Sequence, residues 1–224
     1  MYLIGDIGNT EVKICAFNSN KKLLKKIILK SNLITNKYLY KRLIFLKSKK
    51  YTLHHAIFCS VVPKCYKQIK FFINKKLNIT STELKELKLD KLIKIKVNRK
   101  QIGSDRLSNA ISVIDYKNNY VIVDFGTATT FDVVIKNNYL GGIIAPGVNL
   151  SLNTLISKAS LIPSLTLTSV NHVLGKNTKS AVKSGFYWGY AGLICNVIKK
   201  IIDQTNNKYK IIFTGGLSHL FKKT

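Results

Sequence analysis

Short apolar runs separated by turns rich in Gly, Asn and Asp open the chain, and they predict strands at residues 2–6, 12–17 and near 23–29. The period then changes. Tyr38, Leu39, Arg42, Leu43 and Leu46 fall at helical spacing and predict a helix over 38–49. Residues 55–62 are β-branched and apolar and are closed by Pro63, which disfavours helix before it, so they read as a buried strand. An amphipathic helix over 64–77 and a strand over 92–97 follow, and the loop Ile102-Gly103-Ser104-Asp105-Arg106 runs into a helix over 107–114.

The second half restarts the pattern. Strands are expected at 120–124, 130–135 and 139–144, the last two joined by an Asn137-Asn138 turn. A helix follows Pro146-Gly147 with Leu152, Leu155 and Ile156 on one face, and 166–175 reads as loop. A long helix over 180–202 carries Gly185, Gly189 and Gly192 at helical spacing. Because glycine costs helix propensity, these are expected to mark a close helix approach. A strand over 210–214 ends in Gly215-Gly216, before a short helix start. The expected division is 1–116 and 117–224, without a Pro- or Ser-rich linker, so the halves should pack closely.

Each half opens on the same device. Tyr2-Leu-Ile-Gly-Asp6-Ile-Gly8-Asn9-Thr10 and Val121-Ile-Val-Asp124-Phe-Gly126-Thr127-Ala-Thr129 both set an Asp, a Gly and hydroxyl residues at the end of an apolar strand. Gly permits a tight turn and close backbone approach, N–H groups and Thr hydroxyls can donate to phosphate oxygens, and the Asp can hold the accompanying metal ion. One such loop is also an ordinary hairpin. Two, one per half, point to a duplicated nucleotide-binding architecture.

Composition narrows the classes. A hydrophobic content of 46% and mean hydropathy of +0.07 exclude wholesale disorder. The longest uncharged run, 137–157, is interrupted by Gly141-Gly142 and Pro146-Gly147, so it reads as strand, loop and helix and not as a membrane span. No basic segment precedes an apolar one at the N-terminus, so no signal peptide is expected. Cys15, Cys59, Cys65 and Cys195 lack metal spacing and read as core thiols of a cytoplasmic protein. His54, His55, His172 and His219 match no catalytic or metal spacing.

The net charge of +27 suggests anionic partners, but Arg occurs only at Arg42, Arg99 and Arg106, and Lys is spread along the chain. That pattern reads as a solvated surface attracting anionic substrates, with no specific nucleic acid expected. Asp and Glu total only 10, and Asp6, Asp105, Asp124 and Asp132 all fall in Gly- or Thr-bearing motifs. Glu83, Glu86, Asp90, Asp115 and Asp203 read as surface or turn positions. Taken alone, Asp105-Arg106 also reads as a helix-start acid and a solvated Arg, Asp124 and Asp132 as a strand end and an N-cap or turn, Lys13 as one surface Lys among many, and Thr178 as a turn or cap after Asn177.

The ordered set resembles type III pantothenate kinases of the acetate/sugar kinase–Hsp70–actin superfamily. It comprises Asp6-Ile-Gly-Asn-Thr-Glu-Val-Lys13, Ser60-Val-Val-Pro63, Gly103-Ser-Asp-Arg106, Asp124-Phe-Gly-Thr-Ala-Thr-Thr-Phe-Asp132, Gly141-Gly-Ile-Ile-Ala-Pro-Gly147, Asn177-Thr178 and Ser184-Gly185 with Gly189 and Gly192. The resemblance implies two ribonuclease H-like domains with mixed sheets flanked by helices, an actin-like ATPase fold, a homodimer, and transfer of the ATP γ-phosphate to pantothenate in coenzyme A synthesis. It makes Asp6, Ile7, Gly8, Asn9, Thr10, Glu11, Val12 and Lys13 the first phosphate loop, with Asp6 near Mg²⁺. Thr127 would contact ATP and Asp124 a monovalent cation, K⁺ or NH₄⁺. Gly103, Ser104, Asp105 and Arg106 would line the pantothenate site, with Asp105 as proton acceptor and Arg106 on the substrate carboxylate. Thr178 would reach substrate from the partner subunit.

Departures from the family pattern fall on the expected substrate pocket: Arg99 follows Asn98 where Pro is expected, and Lys96-Val97 stand where an aromatic should lie. The pattern also continues in relatives into a helical segment beyond Gly215-Gly216, so fewer adenine-side contacts are expected here. The competing classes are a non-catalytic transcriptional regulator and a related sugar or acetate kinase. Asp6, Asp105, Asp124 and Thr127 favour the enzyme over the first, and Gly103 to Arg106 argue against the second.

Overall fold

The computed structural model describes residues 1–48 and 53–222. The chain divides into two compact units, Met1–Lys91 with Asn98–Asn109, and Leu92–Val97 with Ala110–Thr224.

In the first unit β1 (Tyr2–Ile7), β2 (Glu11–Phe17) and β3 (Leu23–Lys30) form an antiparallel meander. β4 (His55–Ser60) lies parallel to β1 and β5 (Thr80–Glu83) parallel to β4, giving the order β3-β2-β1-β4-β5. Alternation puts Leu3, Ile7, Val12, Ile14 and Ala16 on the buried face. Against them pack Leu39 and Leu43 of α1 (Asn36–Leu43) and Ile69, Phe72 and Ile73 of α2 (Pro63–Lys76). Phe58 is wholly buried there, and burial of such a side chain contributes about 1.5–3 kcal/mol.

Local chemistry shifts the element ends. α1 starts before the expected Tyr38 because the Thr35 hydroxyl caps it, accepting from Tyr38 N at 3.2 Å. A 3-10 turn, Ile44–Lys47, continues it, and the expected end at Lys49 lies outside the described residues. β5 has no apolar signature. Its backbone pairs with β4, and Asn74 Oδ1 accepts from both Ser81 N at 3.2 Å and Ser81 Oγ at 2.9 Å. The strand expected over 92–97 reduces to β6 (Lys94–Ile95), because among the described residues its register with β9 covers only those two positions, on the edge of the second sheet.

In the second unit β7 (Asn119–Phe125), β8 (Ala128–Ile135) and β9 (Asn138–Pro146) are antiparallel. β10 (Lys210–Gly215) joins parallel to β7 and β6 parallel to β9, giving β10-β7-β8-β9-β6. The run β9-β8-β7-β10 therefore repeats β3-β2-β1-β4, strand for strand and direction for direction. This is the duplication that the two loops implied. α4 (Val148–Lys158) and α5 (Thr178–Thr205) supply Leu152, Tyr187, Ile194 and Ile201 to a core with Val121, Val123 and Phe131. Phe221 stacks between Phe125 at 5.1 Å and Tyr187 at 5.7 Å between ring centroids.

α5 begins in a capping box: Asn177 Oδ1 accepts from Ser180 N at 2.9 Å, and Ser180 Oγ accepts from Asn177 N at 3.1 Å. The core-facing side of α5 carries Ser184, Tyr187, Ala191, Ile194 and Ile201, so Gly185, Gly189 and Gly192 fall on its exposed side. A Cβ built at any of the three meets no atom within 4 Å among the described residues, so they mark no close helix approach within this chain. Among the described residues no helix is long and apolar enough to cross a membrane.

Candidate active site

The first loop is the hairpin between β1 and β2. Gly8 N donates to Glu11 O at 3.0 Å, leaving Asn9 and Thr10 exposed at the tip. Ser31 ties the turn down: its Oγ donates to Gly8 O at 2.7 Å and its N to Thr10 O at 3.1 Å. Asp6 sits half-buried just before this turn. It is directly opposite Lys13 on β2 and Cys59 on β4, which places all three on one face. Lys13 Nζ lies 3.9 Å from Glu11 Oε2 with both side chains about half exposed, so this pair adds little stability.

Cys59 reports on the site. Its Sγ lies 3.7 Å from Asp6 Oδ1 and 3.5 Å from Gly5 O, in donor positions to both. Burial first, then the charges of Asp6 and Asp105, push the Cys59 thiol up to about 12. A Cβ at Gly103 would lie 3.6 Å from Val61 Cγ1, just beyond β4, so the loop bearing Asp105 lies at the end of β4 that carries Cys59, in keeping with the charge that Cys59 feels from it.

Asp105 belongs to the first turn of α3 (Ser104–Ser112), where the helix terminus favours a negative charge. Its Oδ1 accepts from Arg106 N at 2.8 Å, and Leu107 N donates to Gly103 O at 3.1 Å. The carboxylate folds back over Gly103, where an added Cβ would collide with Asp105 Oδ1. Arg106 is half-buried beside it. Ser104 is buried, and its Oγ donates to Glu83 Oε1.

In the second unit the second loop is the hairpin between β7 and β8. Gly126 N donates to Ala128 O at 3.1 Å, and Gly126 and Thr127 are exposed. Asp124, half-buried near the end of β7, is in register with Thr214 of β10 and Thr130 of β8. The backbone closes tightly around it. Gly215 has φ +88°, and a Cβ there would lie 2.5 Å from Asp124 Oδ1 and 2.6 Å from Phe125 N. Gly147 is buried, and a Cβ there would collide with the Thr127 carbonyl oxygen. Asp132 does not occupy a turn. It is wholly buried in β8, where its Oδ1 accepts from the Tyr139 hydroxyl at 2.7 Å. Thr178 is the first, exposed residue of α5.

Three residues with a part in this architecture escape sequence reading. Ser31 fixes the first loop from twenty-odd positions away, Cys59 is a core thiol until its register with Asp6 is known, and Glu83 reads as a turn acid until Ser104 is seen on it. Only Glu83 carried a signal, the scarcity of acids.

Among the described residues no three His, Cys, Asp or Glu side chains gather to cage a metal ion. Mg²⁺ in phosphoryl-transfer sites takes one or two carboxylates, waters and phosphate oxygens, so a strand-end Asp6 beside the Gly8 turn suits it as a protein ligand.

Two sheets of one topology, each ending in an Asp–Gly–Thr hairpin, define an actin-like ATPase or sugar-kinase fold. Solved structures agree. A conserved Campylobacter jejuni protein assigned to the Baf family of transcriptional activators aligns with TM-score 0.62 at 20% identity, over 99% of this chain and 86% of that one. A Cytophaga hutchinsonii protein assigned as a sugar kinase aligns with TM-score 0.51 at 12% identity, over 99% and 85%. At such identities these likenesses establish fold alone. The chain belongs to the type III pantothenate kinase family, whose model matches residues 2–200. It is 55% identical over 224 residues to a type III pantothenate kinase of Pelagibacter ubique strain HTCC1062, covering 100% of this chain and 90% of that protein.

Proposed function

We propose that this protein transfers the γ-phosphate of ATP to the 4′-hydroxyl of pantothenate, forming 4′-phosphopantothenate for coenzyme A synthesis. The observation that carries the reading is the Asp105 loop packed by Val61 at the end of β4 where Cys59 lies against Asp6, in a chain of this family. Phosphoryl transfer asks for alignment and charge neutralisation more than for covalent chemistry. Asp105 accepts the proton of the attacking hydroxyl as its oxygen bonds to phosphorus. Arg106 offers the bidentate donor pair that a carboxylate such as pantothenate's prefers, while Gly103 and Ser104 complete the loop.

Asp6, Ile7, Gly8, Asn9, Thr10, Glu11, Val12 and Lys13 embrace the ATP phosphates from the first hairpin, Asp6 holding Mg²⁺, and Thr127 bonds ATP from the second. Bound with ATP, Mg²⁺ supplies neutralisation of the charge on the transferring group. Asp124 takes a monovalent cation, K⁺ or NH₄⁺. The working form is a homodimer in the cytoplasm, in which Thr178 reaches the partner's substrate. The open Gly185, Gly189 and Gly192 side of α5, with the half-exposed Trp188 beside it, leaves room for a second helix and supports that assembly.

Arg106→Ala is expected to raise KM for pantothenate about 10- to 100-fold and to leave KM for ATP nearly unchanged, as for loss of one charge-assisted pair. Equal effects on both substrates in steady-state kinetics would make Arg106 structural. Activity is also expected to rise in potassium or ammonium over sodium, and Asp124→Ala should remove that dependence along with most of the rate. The cause is that a half-buried strand-end carboxylate among backbone atoms is stabilised by a bound cation. Equal rates in all three salts, with the variant active, would refute the cation site.

A further inference from the structure

Resting on the assignment of Asp105 and Arg106 to the acceptor substrate, we infer that Arg99 and Glu83 are positioning residues, forming a latch that holds the loop before α3 against the sheet. Arg99 is where the chain departs from the proline of the family pattern. Proline stiffens a loop by fixing φ. Arg99 restrains it with hydrogen bonds: its Nη2 donates to Lys85 O at 3.0 Å and Leu87 O at 2.7 Å. Lys85 Nζ reaches back to Lys100 O at 3.5 Å. The pairing of Arg99 Nη1 with Asp90 at 3.9 Å is secondary, because the Asp90 side chain is 86% exposed.

The other end of the loop is fastened to the same turn. Glu83 Oε1 accepts from the buried Ser104 hydroxyl, and its Oε2 accepts from Lys85 N at 2.7 Å. Glu83 is the last residue of β5 and is in register with the wholly buried Phe58 of β4. Core packing therefore fixes β4, β4 fixes β5, Glu83 fixes Ser104, and Ser104 precedes Asp105. The same β4 carries Cys59 against Asp6, so both carboxylates are referred to one strand. A misplacement of about 1 Å in such a site can cost on the order of 100-fold in rate.

The test uses the full chain with Arg99→Ala, Glu83→Ala and the double variant. Two readouts apply: amide hydrogen exchange at Leu107, in the first turn of α3, and separate KM values for pantothenate and ATP. The latch predicts faster exchange at Leu107 in each single variant and kcat/KM for pantothenate lower by about 10- to 100-fold, with KM for ATP within about twofold. It also predicts a double variant no worse than about either single, since both open one device. Arg99→Pro, which restores stiffness, should recover most of the loss. Should Arg99→Ala not fold, Arg99→Lys, which keeps the charge without the planar fork, carries the same comparison. Unchanged exchange and unchanged pantothenate kinetics, or equal losses for both substrates, would overturn the latch. A wild type without kinase activity would refute the functional reading instead, and hydrogen exchange would still decide on the latch.

Discussion

Asp105→Asn is expected to lower kcat by about 10²–10⁴-fold, the usual loss for a general base, while the protein stays folded. The substitution is nearly isosteric. The amide oxygen can still accept from Arg106 N, as Asp105 Oδ1 does at 2.8 Å, so the helix start survives. What is lost is a charge at the half-buried N-terminus of α3, about 0.3–2 kcal/mol, and the ability to take a proton. Steady-state turnover with a thermal melt separates the two. Unchanged turnover would remove Asp105 from the chemistry, and a collapsed melt would make it structural.

Gly147→Ala is expected to disable the second loop. The added methyl would collide with the Thr127 carbonyl oxygen and lie 2.6 Å from its carbon and 2.9 Å from Gly126 O. All three are backbone atoms, so relief requires moving the turn that presents Thr127. Overpacking of this kind typically costs about 1–3 kcal/mol, here with displacement of the residue proposed to bond ATP, so ATP affinity should fall at least about tenfold. Gly216→Ala is the control, since a Cβ there meets nothing within 4 Å among the described residues, and it should bind ATP as the wild type does. Calorimetric titration with ATP checks both. Wild-type affinity in Gly147→Ala would show that the turn yields freely and that its close packing has no bearing on nucleotide.

Where apolar residues alternate and a turn carries Gly or Asn, the sequence was readable: β1, β2, β7, β8 and β9 all announce themselves, and with them both Asp–Gly–Thr hairpins. β5 did not, because Thr80, Ser81, Thr82 and Glu83 are polar and become a strand only through the β4 ladder and Asn74. The opposite error occurred at 92–97, where apolar character suggested a full strand but the register with β9 spans Lys94 and Ile95 among the described residues. The glycines of α5 were visible as a pattern, yet their meaning was not, since only the fold shows that a Cβ on any of them meets none of the described residues. At the site, the scarcity of acids singled out Asp6, Asp105 and Asp124. The same scarcity singled out Asp132, which lies in the expected strand but is wholly buried on the Tyr139 hydroxyl of the neighbouring strand. Glu83 and Ser31 act through hydrogen bonds across long stretches of chain, and a single sequence carries no record of such pairings.

The central claim is the transfer itself, and its most direct measurement is the product. Purified protein incubated with ATP, Mg²⁺, K⁺ and pantothenate should yield 4′-phosphopantothenate, identified by mass, with phosphorus–proton NMR coupling placing the phosphate on the 4′-hydroxyl and ADP formed in equal amount. ATP hydrolysis without phosphopantothenate, or no consumption of ATP by a folded protein, would contradict the account.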